Sequence, residues 1–213
     1  MKRIHFLAIT CMLLTAACNS PETVAQIQKT DRVVGGGCEG CDLYLLGMPA
    51  NPTPETTIAG KDEPGERLAI SGTIYLNDGS TLAEGIVLYL YHTDATGRYS
   101  KGKNKNEATE HGRLRGWVKT GADGKYLFHT ILPASYPQTK APKHIHPTIK
   151  EAGLTPYYID EYLFTNDPNL TEVERKKQPN RGGNGIISIE KNSKGEWVGQ
   201  RDIVLGMNIP GYE

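Results

Sequence analysis

Leu68-Ala69-Ile70-Ser71-Gly72-Thr73-Ile74-Tyr75-Leu76, closed by Asn77-Asp78-Gly79, is the stretch whose reading decides the fold. Its apolar residues alternate with small and polar ones, the period of a half-buried strand. Asn-Asp-Gly then ends it with residues that tolerate tight-turn backbone angles. The pattern repeats outward. Gly85-Ile86-Val87-Leu88-Tyr89-Leu90-Tyr91-His92 is rich in β-branched and aromatic residues, as strands are. Arg115 to Thr120 runs into the turn Ala122-Asp123-Gly124, and Tyr126 to Ile131 follows. Further strands are expected at Tyr157 to Phe164, Gly185 to Lys191 and Trp197 to Leu205, with Lys194-Gly195 turning between the last two. One short helix is expected over Leu170 to Lys177, capped by Asn169 or Thr171. Short strands with turns at this spacing predict an all-β fold, an antiparallel β-sandwich with long loops and little helix. The longest loop, Thr93 to about Arg113, has the length of a functional segment.

The N-terminus reads differently. Lys2 and Arg3 precede the apolar run Phe6 to Leu14, and Thr15-Ala16-Ala17-Cys18 follows. This is a secretory signal, too short to span a bilayer as a helix. It resembles a bacterial lipoprotein signal, in which the cysteine becomes the lipidated first residue. The expected organisation is a signal peptide at 1–17, a tether or N-terminal extension at 18–64, and one domain at 65–213. The extension is rich in Thr, Pro, Gly and Asn, with Leu43-Tyr44-Leu45-Leu46 as its main apolar run, too little to offset the entropy of ordering. The expected location is the cell envelope, on the periplasmic or outer-surface side, lipid-anchored through Cys18.

The chain carries 24 basic and 24 acidic residues. Loss of Lys2 and Arg3 with the signal leaves a net charge of about −2, and nothing here reads as a nucleic-acid surface. Four cysteines reduce to Cys38-Glu39-Gly40-Cys41 once Cys11 is cleaved away and Cys18 is lipidated. A C-x-x-C in an exported protein is a disulfide, a redox pair or half a metal site. No second C-x-x-C completes a zinc site, and no His follows to attach haem, so a small local disulfide is the favoured reading.

The chemistry-bearing residues lie in and after the long loop. His144-Ile145-His146 places two imidazoles on one side of an extended segment, and histidine is the commonest metal ligand. A lone H-x-H is more often structural. Tyr99, in Gly97-Arg98-Tyr99, and Tyr136, in Pro133-Ala134-Ser135-Tyr136-Pro137, sit in loops able to converge with it at one end of a sandwich. A phenol ionises near pH 10, so only a hard, strongly Lewis-acidic ion holds it as phenolate. Two phenolates with two imidazoles favour Fe(III). Among the other candidates, His92 and His129 read as packed or surface residues, Trp117 as core, and Asp123-Gly124 as a turn. His111, near Arg113, is a candidate for the pocket edge. The lysines from Lys101 to Lys105 read as a solvated loop.

Taken in order, Gly97-Arg98-Tyr99, Arg115-Gly116-Trp117, Thr120-x-x-Asp123-Gly124-x-Tyr126-x-Phe128, Ile131-x-Pro133-x-x-Tyr136-Pro137 and Pro142-x-His144-Ile145-His146 resemble the intradiol ring-cleavage dioxygenases. The resemblance covers about residues 66–168, with a weaker echo at Arg201-Asp202-Ile203-Val204-Leu205. It implies a β-sandwich and a mononuclear non-haem Fe(III) held by Tyr99, Tyr136, His144 and His146. It implies a small aromatic diol and O2 as substrates, with ring opening between the two hydroxyl-bearing carbons. Tyr136, the tyrosine before proline, would leave the iron when the diol binds and help take up its proton.

One position departs from the family pattern. An arginine usual three residues before the first histidine is Ala141 here. Such a preorganised charge is worth several kcal/mol at a transition state. Arg115, Lys140 and Lys143 are the candidates to replace it, and Arg115 joins Tyr136 as an expected catalytic residue. The Tyr136-to-His144 interval is also short, which trims the pocket loop. The alternative reading is a non-catalytic module at the cell envelope that binds iron or a catecholate.

Overall fold

The computed structural model describes residues 31–38, 40–102 and 110–213. The signal peptide, Cys18 and Lys103 to Lys105 lie outside them. Among the described residues, twelve strands form two six-stranded sheets. They are β1 (Glu55–Thr57), β2 (Arg67–Tyr75), β3 (Val87–His92), β4 (Arg115–Lys119), β5 (Lys125–Ile131), β6 (His144–Lys150), β7 (Tyr157–Tyr158), β8 (Tyr162–Phe164), β9 (Ile186–Ile187), β10 (Ile189–Lys191), β11 (Trp197–Gln200) and β12 (Ile203–Val204). One sheet runs β1-β5-β2-β11-β10 with β12 also on β2, and the other β4-β3-β6-β8-β9 with β7 also on β6.

The expected sandwich is present, and the main strands fall where alternation places them. Both sheets are mixed. β1 with β5, β2 with β11 and β12, and β8 with β9 pair in parallel, while the hairpin-joined and central pairs are antiparallel. Between the sheets lie Leu68, Ile70 and Ile74 of β2, Phe128 of β5, Leu88 and Leu90 of β3, Val118 of β4, and Ile145 and Ile149 of β6, all fully buried. The short helix α1 spans Glu172–Lys176 and is capped by the Thr171 hydroxyl, which accepts from Glu174 N.

Two expectations need correction. From Asp31 on, the extension is packed rather than a tether. Val34 is in the main core, and Arg32 donates through its guanidinium to the carbonyls of Gly211 and Tyr212. Residues 53–58 then cross from one sheet to the other. Lys119 N of β4 donates to Thr53 O, and Ile58 N donates to His129 O of β5. Composition misjudged this segment because its order comes from its partners' hydrogen bonds, not from its own apolar residues. Trp117, expected in the core, is half-buried on the opposite face of its sheet. There Tyr44 O accepts its indole N–H at 2.5 Å. The Cys38–Cys41 disulfide is present, just before a 3₁₀ turn at Cys41–Leu45 that delivers Tyr44 to Trp117.

Candidate metal centre

β3, β5 and the start of β6 bring their ends to one end of the sandwich. The loop after β3 carries Tyr99, the loop after β5 carries Tyr136, and β6 opens with His144 and His146 on one face. The Tyr99 loop is folded by Asp94. Its carboxylate accepts from the backbone N–H groups of Thr96 and Arg98 and from the hydroxyls of Thr96 and Ser100. Burial alone would raise the Asp94 carboxyl, but these bonds outweigh it and hold it below the ordinary carboxylate range. Gly97 has φ +78, and a Cβ there would lie 2.0 Å from Ser135 O. Only glycine lets the two loops pass this closely. Thr93 Oγ1 donates to Ala134 O at 2.7 Å and Ala134 N to Asp94 O at 3.2 Å, tying one loop to the other.

The four predicted side chains meet. Tyr99 Oη lies 2.6 Å from Tyr136 Oη and 2.8 Å from His146 Nε2, and Tyr136 Oη lies 3.0 Å from His144 Nε2. Both imidazoles are oriented from behind. His144 Nδ1 lies 2.6 Å from Pro142 O, and His146 Nδ1 lies 3.0 Å from Glu161 Oε1. A carbonyl or carboxylate accepts only, so each Nδ1 carries a proton and each ring turns Nε2, the nitrogen left to ligate, inward. Burial lowers the His144 pKa, which keeps that ring neutral.

This arrangement can be tested as a metal site by counting protons. Three contacts join the four donor atoms, and the two phenols bring only two protons to fill them. With both Nε2 atoms accepting, one of the three contacts is lone pair against lone pair. A cation among the four donors removes that repulsion. At metal–ligand bonds of about 2.0–2.1 Å, two donors at right angles lie about 2.9 Å apart, close to the contacts observed. Burial raises both phenols above their ordinary value, that of Tyr99 strongly, with the Tyr99–Tyr136 hydrogen bond and neighbouring charge adding to it at Tyr99. Phenolate at neutral pH therefore requires a strong Lewis acid, and the donor set fits ferric iron.

Three further residues belong to the site, and the sequence singled out only one of them. Tyr91 stacks on His146 with ring centroids 4.5 Å apart and on His111 at 3.7 Å, nearly parallel to both. His111, the pocket-edge candidate, is held through Nδ1 by Tyr89 Oη at 3.0 Å. Burial pushes His111 down to about 4, with nearby His146 and Arg115 adding to the effect, so it is neutral. Burial pushes the Tyr89 phenol up to about 12. Glu161 backs His146, the second layer of contact that fixes a ligand's tautomer. Burial would raise its carboxyl, but the His146 bond and the two imidazoles outweigh it and lower it. With His144 and His146 it forms a tight cluster of possible ligand atoms, yet it meets His146 on the nitrogen facing away from the phenols. The one sign of Tyr91 in the sequence is that β3 is aromatic or apolar on both faces, so its outer face must be covered. Glu161 falls where the expected strand Tyr157 to Phe164 breaks into β7 and β8, and left no signal.

The remaining candidates are placed as follows. Arg115 pairs with Tyr91, which pairs with His146, so all three share one face. The Arg115 and His146 backbones are two strand spacings, about 10 Å, apart, with the Tyr91 ring between. The guanidinium lies 5.9 Å above the Trp117 ring. Ala141 donates its N–H to Thr139 Oγ1 at 3.2 Å, and Lys143 N donates to Asp167 at 2.5 Å. His92 is buried inward, its Nε2 2.6 Å from Thr130 Oγ1. His129 lies 3.1 Å from Glu55, far round the other sheet. A cavity of about 280 Å³ opens beside the centre, between the disulfide loop and Tyr91, His111, His146, Tyr158 and Glu161.

Known proteins resemble this chain in sequence and in fold. The profile of the family described as Dioxygenase matches residues 41–173. Catechol 1,2-dioxygenase 1 of Acinetobacter lwoffii is 33% identical over 126 residues, 58% of this chain and 40% of that protein. Chlorocatechol 1,2-dioxygenase of Rhodococcus opacus is 31% identical over 149 residues, 62% of this chain and 54% of that protein. The chain thus spans about half the length of these relatives. Among solved structures, the dioxygenase domain of a carbohydrate-binding fusion protein from Streptomyces sp. SirexAA-E has a TM-score of 0.56 at 22% identity, covering 74% of this chain and 91% of that one. Catechol 1,2-dioxygenase from Acinetobacter sp. ADP1 has a TM-score of 0.54 at 17% identity, covering 74% and 59%. These two share the fold. With most of the sandwich inside the matched profile and the four donors gathered at its end, the chain belongs to the intradiol ring-cleavage dioxygenase family.

Proposed function

We propose that the protein is an exported ferric dioxygenase that opens the ring of a catechol between its two hydroxyl-bearing carbons, using O2. The observation that carries this reading is the convergence of two phenol oxygens and two imidazole nitrogens at 2.6–3.0 Å. Ferric iron held by Tyr99, Tyr136, His144 and His146 would supply Lewis-acid activation of the diol and a template for O2. Pro142 O and Glu161 keep both imidazoles in the ligating tautomer. Tyr91 stacks on His146 and holds the plane of that ring. Tyr136, on the loop between Pro133 and Pro137, would hold the iron through its Oη and would take up a proton of the incoming diol at that atom.

A second reading has a specific observation in its favour. Ala141 brings no charge to the centre, and Arg115 stands behind Tyr91. A module that binds iron and catecholate without opening the ring is consistent with both. Metal content, the visible spectrum with and without catechol, and product analysis separate the two. The enzyme reading expects a red-brown iron protein that consumes O2 and releases a muconate-type diacid. A spectral shift on catechol without product supports the module. A colourless, iron-free protein whose Tyr99→Phe variant behaves identically defeats both. Export rests on the signal at residues 1–17 and on the disulfide, which suits an oxidising compartment. Lipidation at Cys18 predicts a membrane-bound protein that a Cys18→Ser variant releases.

A further inference from the structure

We infer that Glu161 is a positioning residue with an electronic role: its charge, felt through the ring of His146, makes that imidazole the stronger of the two nitrogen donors and biases the centre toward ferric over ferrous iron. This rests on the reading of the centre as an iron site. The two imidazoles are backed differently. His144 Nδ1 meets a neutral carbonyl, Pro142 O, at 2.6 Å, whereas His146 Nδ1 meets a carboxylate, Glu161 Oε1, at 3.0 Å. The carbonyl contact is the shorter, but a dipole's field falls off faster with distance than a charge's. Of the two partners, the carboxylate is therefore the one felt across the ring at Nε2. A carboxylate behind a ligating histidine raises the basicity of that ligand. A negative charge there also favours the oxidation state of higher positive charge, which is the ferric one.

The carboxylate is placed by the fold. Glu161 lies between two anchored residues. Before it, Asp160 N donates to Arg181 O at 3.0 Å, and the Asp160 carboxylate accepts from the backbone N–H groups of Asn180 and Arg181 at 2.8 and 3.0 Å. Buried Arg201 donates through Nη1 to Asp160 O at 2.6 Å. After it, Tyr162 is fully buried and pairs with Ile145 of β6, the residue between the two histidines. A Cβ at Gly185 would lie 2.2 Å from Glu161 O, so the neighbouring segment closes on this backbone as well. The His146 ring is fixed from its own side by the Tyr91 stack. The Glu161 side chain is 41% exposed, so water screens part of its charge and the effect falls short of a buried ion's.

The test is a redox titration of the iron-loaded protein, followed by its visible band, for the unaltered chain, Glu161→Gln and Glu161→Asp. The amide of Glu161→Gln still offers His146 an acceptor but carries no charge, so both imidazoles then have neutral partners. The preference for ferric over ferrous iron should fall on the order of tenfold, which raises the potential by about 59 mV for a one-electron couple. The band should move to longer wavelength, because the phenolates then face a more electron-poor ion. Glu161→Asp keeps the charge and should shift the potential less. Where a variant holds iron too weakly to be poised, chelator competition with each oxidation state reads the same ratio. A potential unchanged by Glu161→Gln, or shifted equally by both variants, overturns the proposal, since the residue would then act by shape alone. An unaltered protein that takes up no iron, or shows no band when loaded, overturns the ferric reading itself, and this inference with it.

Discussion

The two faces of one sheet make the sharpest contrast in the molecule. Along β3, β4 and β6, Leu88, Leu90, Val118, Ile145 and Ile149 point inward and are fully buried. The residues between them, Tyr89, Tyr91, Trp117 and His146, point outward into an aromatic layer that ends at the donor cluster. The same backbone serves both faces because side chains alternate along a strand. The inner face is held by apolar burial and tolerates no polar group without a partner. The outer face is held by stacked rings, with the heads of Tyr89, Trp117 and His146 hydrogen-bonded, so it can present oxygen and nitrogen to an ion. Stability and chemistry are thus separated by one residue of register.

Substitutions on the two faces should therefore fail in different ways. His146→Ala on the outer face should abolish the visible band and weaken iron binding by more than the 10–100-fold typical of outer-layer partners. Its metal-free stability should change little. Leu90→Ala on the inner face should cost about 2–5 kcal/mol of stability, while the folded fraction still takes up one iron. Denaturant melts of the metal-free proteins, with iron content per folded molecule, check both. If Leu90→Ala lost the iron while fully folded, the separation of the faces would be wrong.

The inner face was legible in the sequence, and the outer face only partly. Alternation from Leu68 to Leu76 and from Gly85 to His92 gives the strands and the core directly. The four donors stood out because Tyr-Pro and His-x-His carry a family pattern. β6 beyond His146 did not, because Pro147 interrupts it. Pro147 O accepts from Ile159 N, so its ring nitrogen faces the same side, opposite the gap between β7 and β8, where no N–H is needed. Trp117 looked like core because its size hides which face it takes. β1 is short and polar, and its order comes from pairing in parallel with β5. The parallel pairings of β2 with β11 and β12 join segments far apart in the chain, and local pattern carries no trace of them.

The inner face also carries a buried histidine, which gives a pH test. β3 ends with His92, fully buried and pushed down to about 4, chiefly by burial. A buried neutral histidine has its folded pKa below the unfolded value of 6.5. Below 6.5 the unfolded chain binds the proton first, so stability should fall from about pH 6.5 to about pH 4 and level off below. The size expected is on the order of 3 kcal/mol. His92→Asn should flatten this slope in the metal-free protein. An unchanged slope would place the acid sensitivity elsewhere.

The smallest expected effect tests whether the outer face has a cover of its own. Cys38 and Cys41 close a short loop, for which chain entropy gives roughly 2 kcal/mol at most. The loop leans on the aromatic layer. A Cβ at Gly40 would lie 2.9 Å from His111 Nε2, and the turn that follows hands Tyr44 O to Trp117. Little of the loop reaches the inner core. Its release should therefore loosen one face and spare the other. In a Cys38→Ser/Cys41→Ser protein, hydrogen exchange should quicken through residues 40–48, and the emission of Trp117 should change. Amides of β2 and β5 should exchange as before. A uniform loss of protection in both sheets would mean the segment is part of the folding core, and that the two faces stand or fall together.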